Sequence, residues 1–107
     1  MAGETAVVVQ LAVTASTLTD LHTVTSGKRF MGHLWATNTG GSARTYRISL
    51  ASLGAADTIA QYVGAYDTAI AANVSVSFGP VLLPEATVVR VWANHADVVF
   101  SLLGTEF

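Results

Sequence analysis

The sequence predicts an all-β fold, a small antiparallel β-sandwich or jelly roll of about eight short strands. The chain is rich in Val, Thr and Ile, which favour strands over helices. Turn signals recur about every 8–12 residues, a spacing that is typical of sandwiches and jelly rolls. No long helical segments alternate with the apolar stretches, which argues against a parallel α/β sheet.

The length and composition predict one folded domain. The chain has 107 residues, of which 51% are hydrophobic and only 11% are charged. A disordered chain would be more polar and more charged, so disorder is excluded. We expect two parts, an N-terminal arm or edge strand over residues 1–16 and a β-sandwich domain over residues 17–107.

Four strands are predicted in the first half of the chain. Alternating apolar residues and flanking turn residues place them at 5–13, 18–24, 29–38 and 43–50. The third and fourth strands are expected to pair as a hairpin through the turn at Gly40-Gly41.

The second half is expected to contain shorter strands. A strand is predicted at 58–63, and the segment 64–72 is either a loop or a short helix. Gly79-Pro80 reads as a turn that separates a strand at 73–78 from a very short one at 81–83. The segments 87–93 and 97–103 are expected to form a terminal hairpin.

The charge balance excludes several classes of function. Five basic residues against seven acidic ones give a net charge of −2, and the basic residues are scattered. A nucleic-acid-binding surface needs clustered Lys and Arg, so no nucleic acid is expected as a partner. No window of 18 residues is apolar and uncharged, so no transmembrane helix and no membrane partner are expected. The N-terminus does not resemble a signal peptide.

No enzymatic constellation is visible, and we expect no catalytic, cofactor-binding or metal-binding residues. The three histidines, His22, His33 and His95, lack the spacing of a zinc site, and there is no cysteine. We interpret them as solvated or hydrogen-bonding groups whose removal leaves stability nearly unchanged. No nucleophile motif is present, and the acidic residues lie near turns and termini, where solubility explains them. The sequence therefore predicts a protein that is not an enzyme and holds no cofactor.

Two sets of residues are candidates for a subunit interface. The segment 5–13 is apolar on both faces and lacks the Lys or Pro that usually protects an edge strand, so we expect a partner to cover it. Aromatic and Arg side chains on strands elsewhere are a second signal, because these types are enriched at interfaces. The candidate residues are Val7, Val9, Leu11, Val13, Trp35, Arg47, Arg90 and Trp92.

Three segments together resemble a known family. Residues 21–28 read as a strand and a Gly-Lys turn, and residues 32–46 as an apolar strand, an Asn, a small polar turn and a Thr-rich return strand. The chain then ends on an apolar strand and a Gly-x-Glu element at residues 104–106. Over residues 18–107 this combination resembles the small virion structural proteins of tailed bacteriophages.

The resemblance implies a β-sandwich that is part of a phage particle and carries no catalytic residues. The function expected is that of a capsid decoration or cement protein that binds the major capsid protein. Its expected state is a homo-oligomer, for instance a trimer, and its expected location is the virion, which is assembled in the bacterial cytoplasm. Two alternatives stay open, a tail baseplate or fibre component and a carbohydrate-binding module with exposed aromatic rings.

Overall fold

The computed structural model describes residues 4–107 and is all-β, which confirms the predicted fold class. Among these residues, one short 3-10 turn, Ile59–Gln61, interrupts the strands. Within residues 4–107 no helix is long and apolar enough to cross a membrane. The eight strands are β1 (Thr5–Ala12), β2 (Thr19–Thr23), β3 (Phe30–Asn38), β4 (Arg44–Ser52), β5 (Tyr62–Ile70), β6 (Ser75–Leu83), β7 (Thr87–Ala93) and β8 (Val98–Glu106).

The strands form two four-stranded antiparallel sheets with the connectivity of a jelly roll. One sheet has the order β1-β8-β3-β6 and the other β2-β7-β4-β5. The pairings β1 with β8, β2 with β7, β3 with β6 and β4 with β5 are nested, so the chain resembles one long hairpin rolled into a sandwich. This is the eight-stranded double-sheet arrangement that jelly rolls share.

Two predicted hairpins are wrong. β3 and β4 are consecutive in the chain but lie in different sheets, and so do β7 and β8. Of the consecutive strands, only β4 and β5 pair with each other. A turn signal shows that the chain reverses direction, but it does not show whether the chain pairs back or crosses to the opposite sheet.

The middle of the chain forms longer strands than expected. The segment 64–72, predicted as a loop or short helix, lies largely in β5, whereas the strand predicted at 58–63 begins only after the 3-10 turn. The segments 73–78 and 81–83 are joined into β6, and Gly79-Pro80 forms an irregularity in its pairing with β3. Bulges interrupt both strands and obscure their period-two pattern.

The core lies between the sheets and contains the inward residues that alternation predicted. Phe30, Leu34 and Phe100 are buried, and so are Ile48 and Leu102. The other predicted core residues, Val89, Val91 and Val98, are buried as well, while Leu50 is half-buried.

A glycine pair makes room for the largest core ring. Gly32 and Gly104 lie opposite each other on β3 and β8. A Cβ added to either would lie 2.7 Å from Cζ of Phe30 and would also overlap backbone of the opposite strand. The pair therefore allows the ring to lie directly over the sheet, and a side chain at either position would push it away.

The N-terminal segment forms the edge of the first sheet. The structure places β1 beside β8, with residues 13–16 leading toward β2, and residues 1–3 of the predicted 1–16 segment lie outside the described residues. Val7 and Val13 belong to the core. The sequence left open whether this segment is an arm or an edge strand. Its described residues form an edge strand that is integrated into the sandwich.

Candidate interaction surfaces

The outer side of the β1-β8-β3-β6 sheet, called the β8 face below, carries no Asp, Glu, Lys or Arg. Its members are the residues that alternate with the buried ones along each strand, outside the irregularity in β6. These residues are Ala6, Val8, Gln10, Ala12, Met31, His33, Trp35, Thr37, Ser75, Ser77, Leu82, Val99, Ser101, Leu103 and Thr105. The charged residues of the chain therefore lie elsewhere, although Lys, Arg, Asp and Glu are residue types that are mostly exposed.

Large apolar side chains on the β8 face are neighbours. Val8 pairs with Leu103 across β1 and β8, and Met31 pairs with Leu82 across β3 and β6. Val8 is 68% exposed and Leu82 is 53% exposed, and Trp35 lies one row further along β3. Leu103 lies opposite His33, so Met31 and Trp35 are its diagonal neighbours on β3. Diagonal neighbours are about 7–8 Å apart, within reach of long and aromatic side chains, so these residues form one apolar patch around His33. Such patches mark contact sites for other molecules.

The free edge of β1 borders this patch. All eight residues of β1 pair with β8 in uninterrupted register, so the other side of the strand presents a regular row of backbone groups. The other three edge strands, β2, β5 and β6, each contain a register shift. Bulges of this kind protect an edge from pairing, and β1 lacks one.

The candidate interface residues of β1 point the other way. Val7 and Val13 are buried in the core, and Val9 and Leu11 are half-buried against it. Their assignment to a subunit interface is therefore corrected, because they cover the inside of their own sandwich. Both sides of the segment are apolar, so the sequence alone did not distinguish the inner side from the outer one. Val8 is the large apolar residue of β1 that is exposed.

The other four candidates divide between the two sheets. Trp35 lies on the β8 face, whereas Arg47, Arg90 and Trp92 lie on the outer side of the β2-β7-β4-β5 sheet, called the β7 face below. The structure brings Arg47 and Trp92 together as a cross-strand pair and leaves Trp35 on the opposite side of the molecule.

Arg47 is the centre of a cluster on the β7 face. Its guanidinium carbon lies 4.1 Å from the ring centre of Trp92 and 4.4 Å from that of Tyr66. Its Nε and Nη2 donate to the two carboxylate oxygens of Asp67 at 2.6 and 3.1 Å. These hydrogen bonds raise the pKa of Arg47, so the group stays charged. Ring contacts and paired hydrogen bonds hold the side chain in one orientation.

A bulge in β5 makes the cluster possible. The pairing of β4 with β5 shifts between Tyr46 and Ile48, opposite Thr68 and Ala65. Within that interval Asp67 has a φ of 49°, in the left-handed region. The extra residue allows Tyr66 and its neighbour Asp67 to reach the same arginine, although consecutive residues of a regular strand point to opposite faces. Tyr62 then packs edge-on against Tyr66, with ring centres 4.9 Å apart.

Arg90 has a local structural role on the same face. Its Nη2 donates to the carbonyl oxygen of Ala55 at 2.8 Å, and its Nε lies 3.4 Å from a carboxylate oxygen of Asp20. The first contact fixes the loop between β4 and the 3-10 turn against the sheet. Sequence analysis identified this residue but not its partners, which are distant in the chain.

The hydrogen-bonded pair of Glu106 with His22 was missed by sequence analysis. Glu106 is only 3% exposed, and its carboxylate accepts hydrogen bonds from His22 Nε2 at 2.7 Å and from the Thr25 N–H at 3.2 Å. Burial alone would raise the pKa of Glu106, but these hydrogen bonds outweigh it and hold the pKa below its usual value. Since the pair joins β8 to β2, we expect removal of His22 to destabilise the fold, in contrast to the expectation from sequence.

No three or more His, Cys, Asp or Glu side chains lie close enough to hold a metal ion within the part of the chain that the structure describes. The carboxylates of Asp67, Asp97 and Glu106 are each paired with an Arg or a His. The two outer faces and the β1 edge are therefore the strongest candidates for a functional site. In comparisons with protein-family models, curated proteins and solved structures, none matches this chain.

Proposed function

We propose that this protein is a non-enzymatic structural component of a phage virion, a decoration or cement protein that binds the major capsid protein through its β8 face. The observation that carries the proposal is the absence of formal charge on that face, together with its apolar patch. A surface without charges loses less on desolvation than a charged one, and the apolar patch within it gains from burial, so the face is suited to permanent contact.

The β8 face supplies most of the area of one subunit contact. Strands about 4.8 Å apart and about 3.4 Å per residue give a four-stranded sheet of nine-residue strands an area of roughly 600 Å² before side-chain relief is counted. A standard interface buries about 800 Å² on each partner. The β8 face and the free edge of β1 together approach that size.

The fold is compatible with this role, and the β1 edge offers a second kind of contact. Double-sheet jelly rolls occur in viral capsid proteins and also in lectins. An incoming strand on the free side of β1 would add main-chain hydrogen bonds to the side-chain contacts of the β8 face. We propose that this strand comes from a second copy of the chain in a homo-oligomer, for instance a trimer, or from a capsid subunit. The proposed location is the virion.

The experiment is co-sedimentation of the purified protein with phage capsids and, separately, tails that were assembled without it. The variants Val8→Glu and Leu103→Glu place a charge in the centre of the β8 face and should lower the bound fraction about tenfold or more, because a buried unpaired charge is costly. Ala69→Glu, on the exposed part of β5, is the matched control and should bind normally.

The outcomes separate the alternatives. Binding to capsids that both β8-face variants lose supports the decoration role, and binding to tails alone supports a baseplate or fibre component. Binding to neither particle, or equal binding by all variants, contradicts the proposal.

A carbohydrate-binding module is the second candidate, and the Arg47 cluster is the observation that favours it. Tyr66 is 46% exposed beside Tyr62, and the carboxylates of Asp57 and Asp67 lie next to these rings. Exposed rings with adjacent carboxylates are groups that stack on sugars and bind their hydroxyls. Isothermal titration with soluble glycans tests this candidate, since Tyr66→Ala should then abolish a binding signal that Val8→Glu retains.

A further inference from the structure

An apolar cavity of about 190 Å³ lies between the two sheets. Nine residues line it, and every one has an aliphatic or phenyl side chain. Leu102 and Val89 are 1% exposed, whereas Val63 on β5 is 47% exposed. Exposure of the lining thus increases toward the edge strands β5 and β6, so the cavity opens on that side of the sandwich.

Irregular strand pairing accompanies the cavity on both sheets. The pairing of β4 with β5 shifts on either side of Ile48, and that of β3 with β6 shifts between Gly32 and Leu34, opposite Val81 and Phe78. Four of these residues, Leu34, Ile48, Phe78 and Val81, line the cavity. Bulges turn side chains away from their regular positions, and here they leave space that close packing would otherwise fill.

The core is closed on both sides of the cavity. Phe30 at one end of β3, and Val98 and Phe100 beside its other end, are completely buried, and none of them lines the cavity. The space is therefore a local feature of the β5–β6 side and not a general looseness of the sandwich.

We infer that this cavity binds a small uncharged hydrocarbon group of the size of a single aromatic ring. Its lining offers no side-chain hydrogen-bond donor or acceptor, so a hydrocarbon group gains free energy when it leaves water for these apolar walls. A cavity of roughly 150 Å³ is known to hold benzene, so about 190 Å³ suits a ring with one or two methyl groups or a short alkyl chain end. The inference does not depend on the proposed function, because the cavity lies inside the sandwich.

The test is methyl NMR of the whole protein titrated with toluene and, separately, with hexanoate. Toluene represents a free ring, and hexanoate represents a chain end whose carboxylate must stay outside the mouth near Val63. Shifts at the methyl groups of Leu34, Val63 and Val81, with none at Val7 or Val13 in the closed part of the core, are expected for toluene. If hexanoate shifts the same methyl groups, the site also accepts chain ends. If hexanoate shifts none of them, the site accepts only free rings.

The variant Val81→Leu adds one methylene group to the lining, and Val8→Leu makes the same change on the exposed β8 face. Val81→Leu should weaken toluene binding about tenfold or more and raise the melting temperature of the free protein, since it fills empty space. Val8→Leu should leave the affinity unchanged. Equal toluene affinity of the wild type and both variants would overturn the inference. Shifts at Val8 and Leu103 in place of the lining residues would overturn it as well.

Discussion

The two outer faces of the sandwich are built on sheets of the same size and differ in how their side chains are satisfied. On the β7 face, Arg47 has a carboxylate partner and two ring partners, and Arg90 binds a loop carbonyl. On the β8 face, Val8, Leu103 and Leu82 have water as their outer neighbour. The two arginines of the first face find their partners within the monomer, whereas the apolar side chains of the second would gain from a partner molecule.

This contrast separates a residue type from its role. Arg and Trp are the types most enriched at interaction hot spots, yet here Arg47 and Trp92 mainly bind each other and their neighbours. Valine and leucine attract less attention in a sequence, but on the β8 face they form the patch that lacks partners. Position within the sheet, more than residue type, decides which surface is available.

The largest expected effect tests the alternation of β8, which separates the β8 face from the core beneath it. Phe100 is fully buried, so Phe100→Ala should lower the free energy of unfolding by about 3–5 kcal/mol. Its neighbour Ser101 points outward, and Ser101→Ala should change stability by less than about 0.5 kcal/mol. Urea denaturation measures both, and similar values for the two variants would contradict the assigned inner and outer sides.

The next effect concerns the Glu106–His22 pair, which joins the two sheets. Glu106→Gln should cost about 1–3 kcal/mol at neutral pH, because a buried charge-assisted hydrogen bond is lost. The folded pKa lies below the ordinary value of 4.5, so the stabilisation is present above pH 4.5 and is lost as the pH falls through the folded pKa.

Urea midpoints between pH 7 and pH 3 measure this contribution as the difference between wild type and Glu106→Gln. That difference should shrink in the acid range, since other carboxylates titrate equally in both proteins. A constant difference across the range would show that the charge of Glu106 contributes nothing.

A smaller effect is expected in the Arg47 cluster. Arg47→Lys keeps the charge but loses the paired hydrogen bonds to Asp67 and the flat stacking on both rings, so it should cost about 1 kcal/mol. Arg29→Lys is the control, because Arg29 stacks on a single ring, that of Phe107, at 5.1 Å. Thermal unfolding compares the two, and an equal loss would contradict the idea that the β7 face is internally satisfied.

The smallest effect on stability is expected on the β8 face. Leu103→Thr keeps a residue that favours strands and should change the unfolding free energy by less than about 0.5 kcal/mol. Self-association, measured by light scattering at increasing concentration, should nevertheless decrease. A large loss of stability with unchanged association would mean that Leu103 serves the fold and not a contact.

Local alternation explains what the sequence could predict. Period two along β3 and β7 placed Phe30 and Val91 inside and Trp35 and Trp92 outside, and the structure agrees because that pattern is set by neighbouring residues alone. The prediction that Val7 lies at an interface is wrong because both sides of β1 are apolar. Local alternation then does not show which side faces the core.

Long-range contacts explain what the sequence could not predict. His22 and Glu106 are 84 positions apart, and Arg47 and Asp67 are brought together by a bulge that no motif announces. The predicted hairpins failed for the same reason, since whether a strand pairs with its successor depends on strands far away in the chain.

The nested pairing also determines when the protein can finish folding during its synthesis. Thr5 pairs with Glu106, so β1 cannot find its partner until all the other described strands have been synthesised. Until residue 106 has left the ribosome, β1 and β3 lack the strand that lies between them, and their backbone groups are open to other chains. Folds dominated by such distant pairings form slowly, so for this protein the interval just after synthesis is the one with the greatest risk of aggregation.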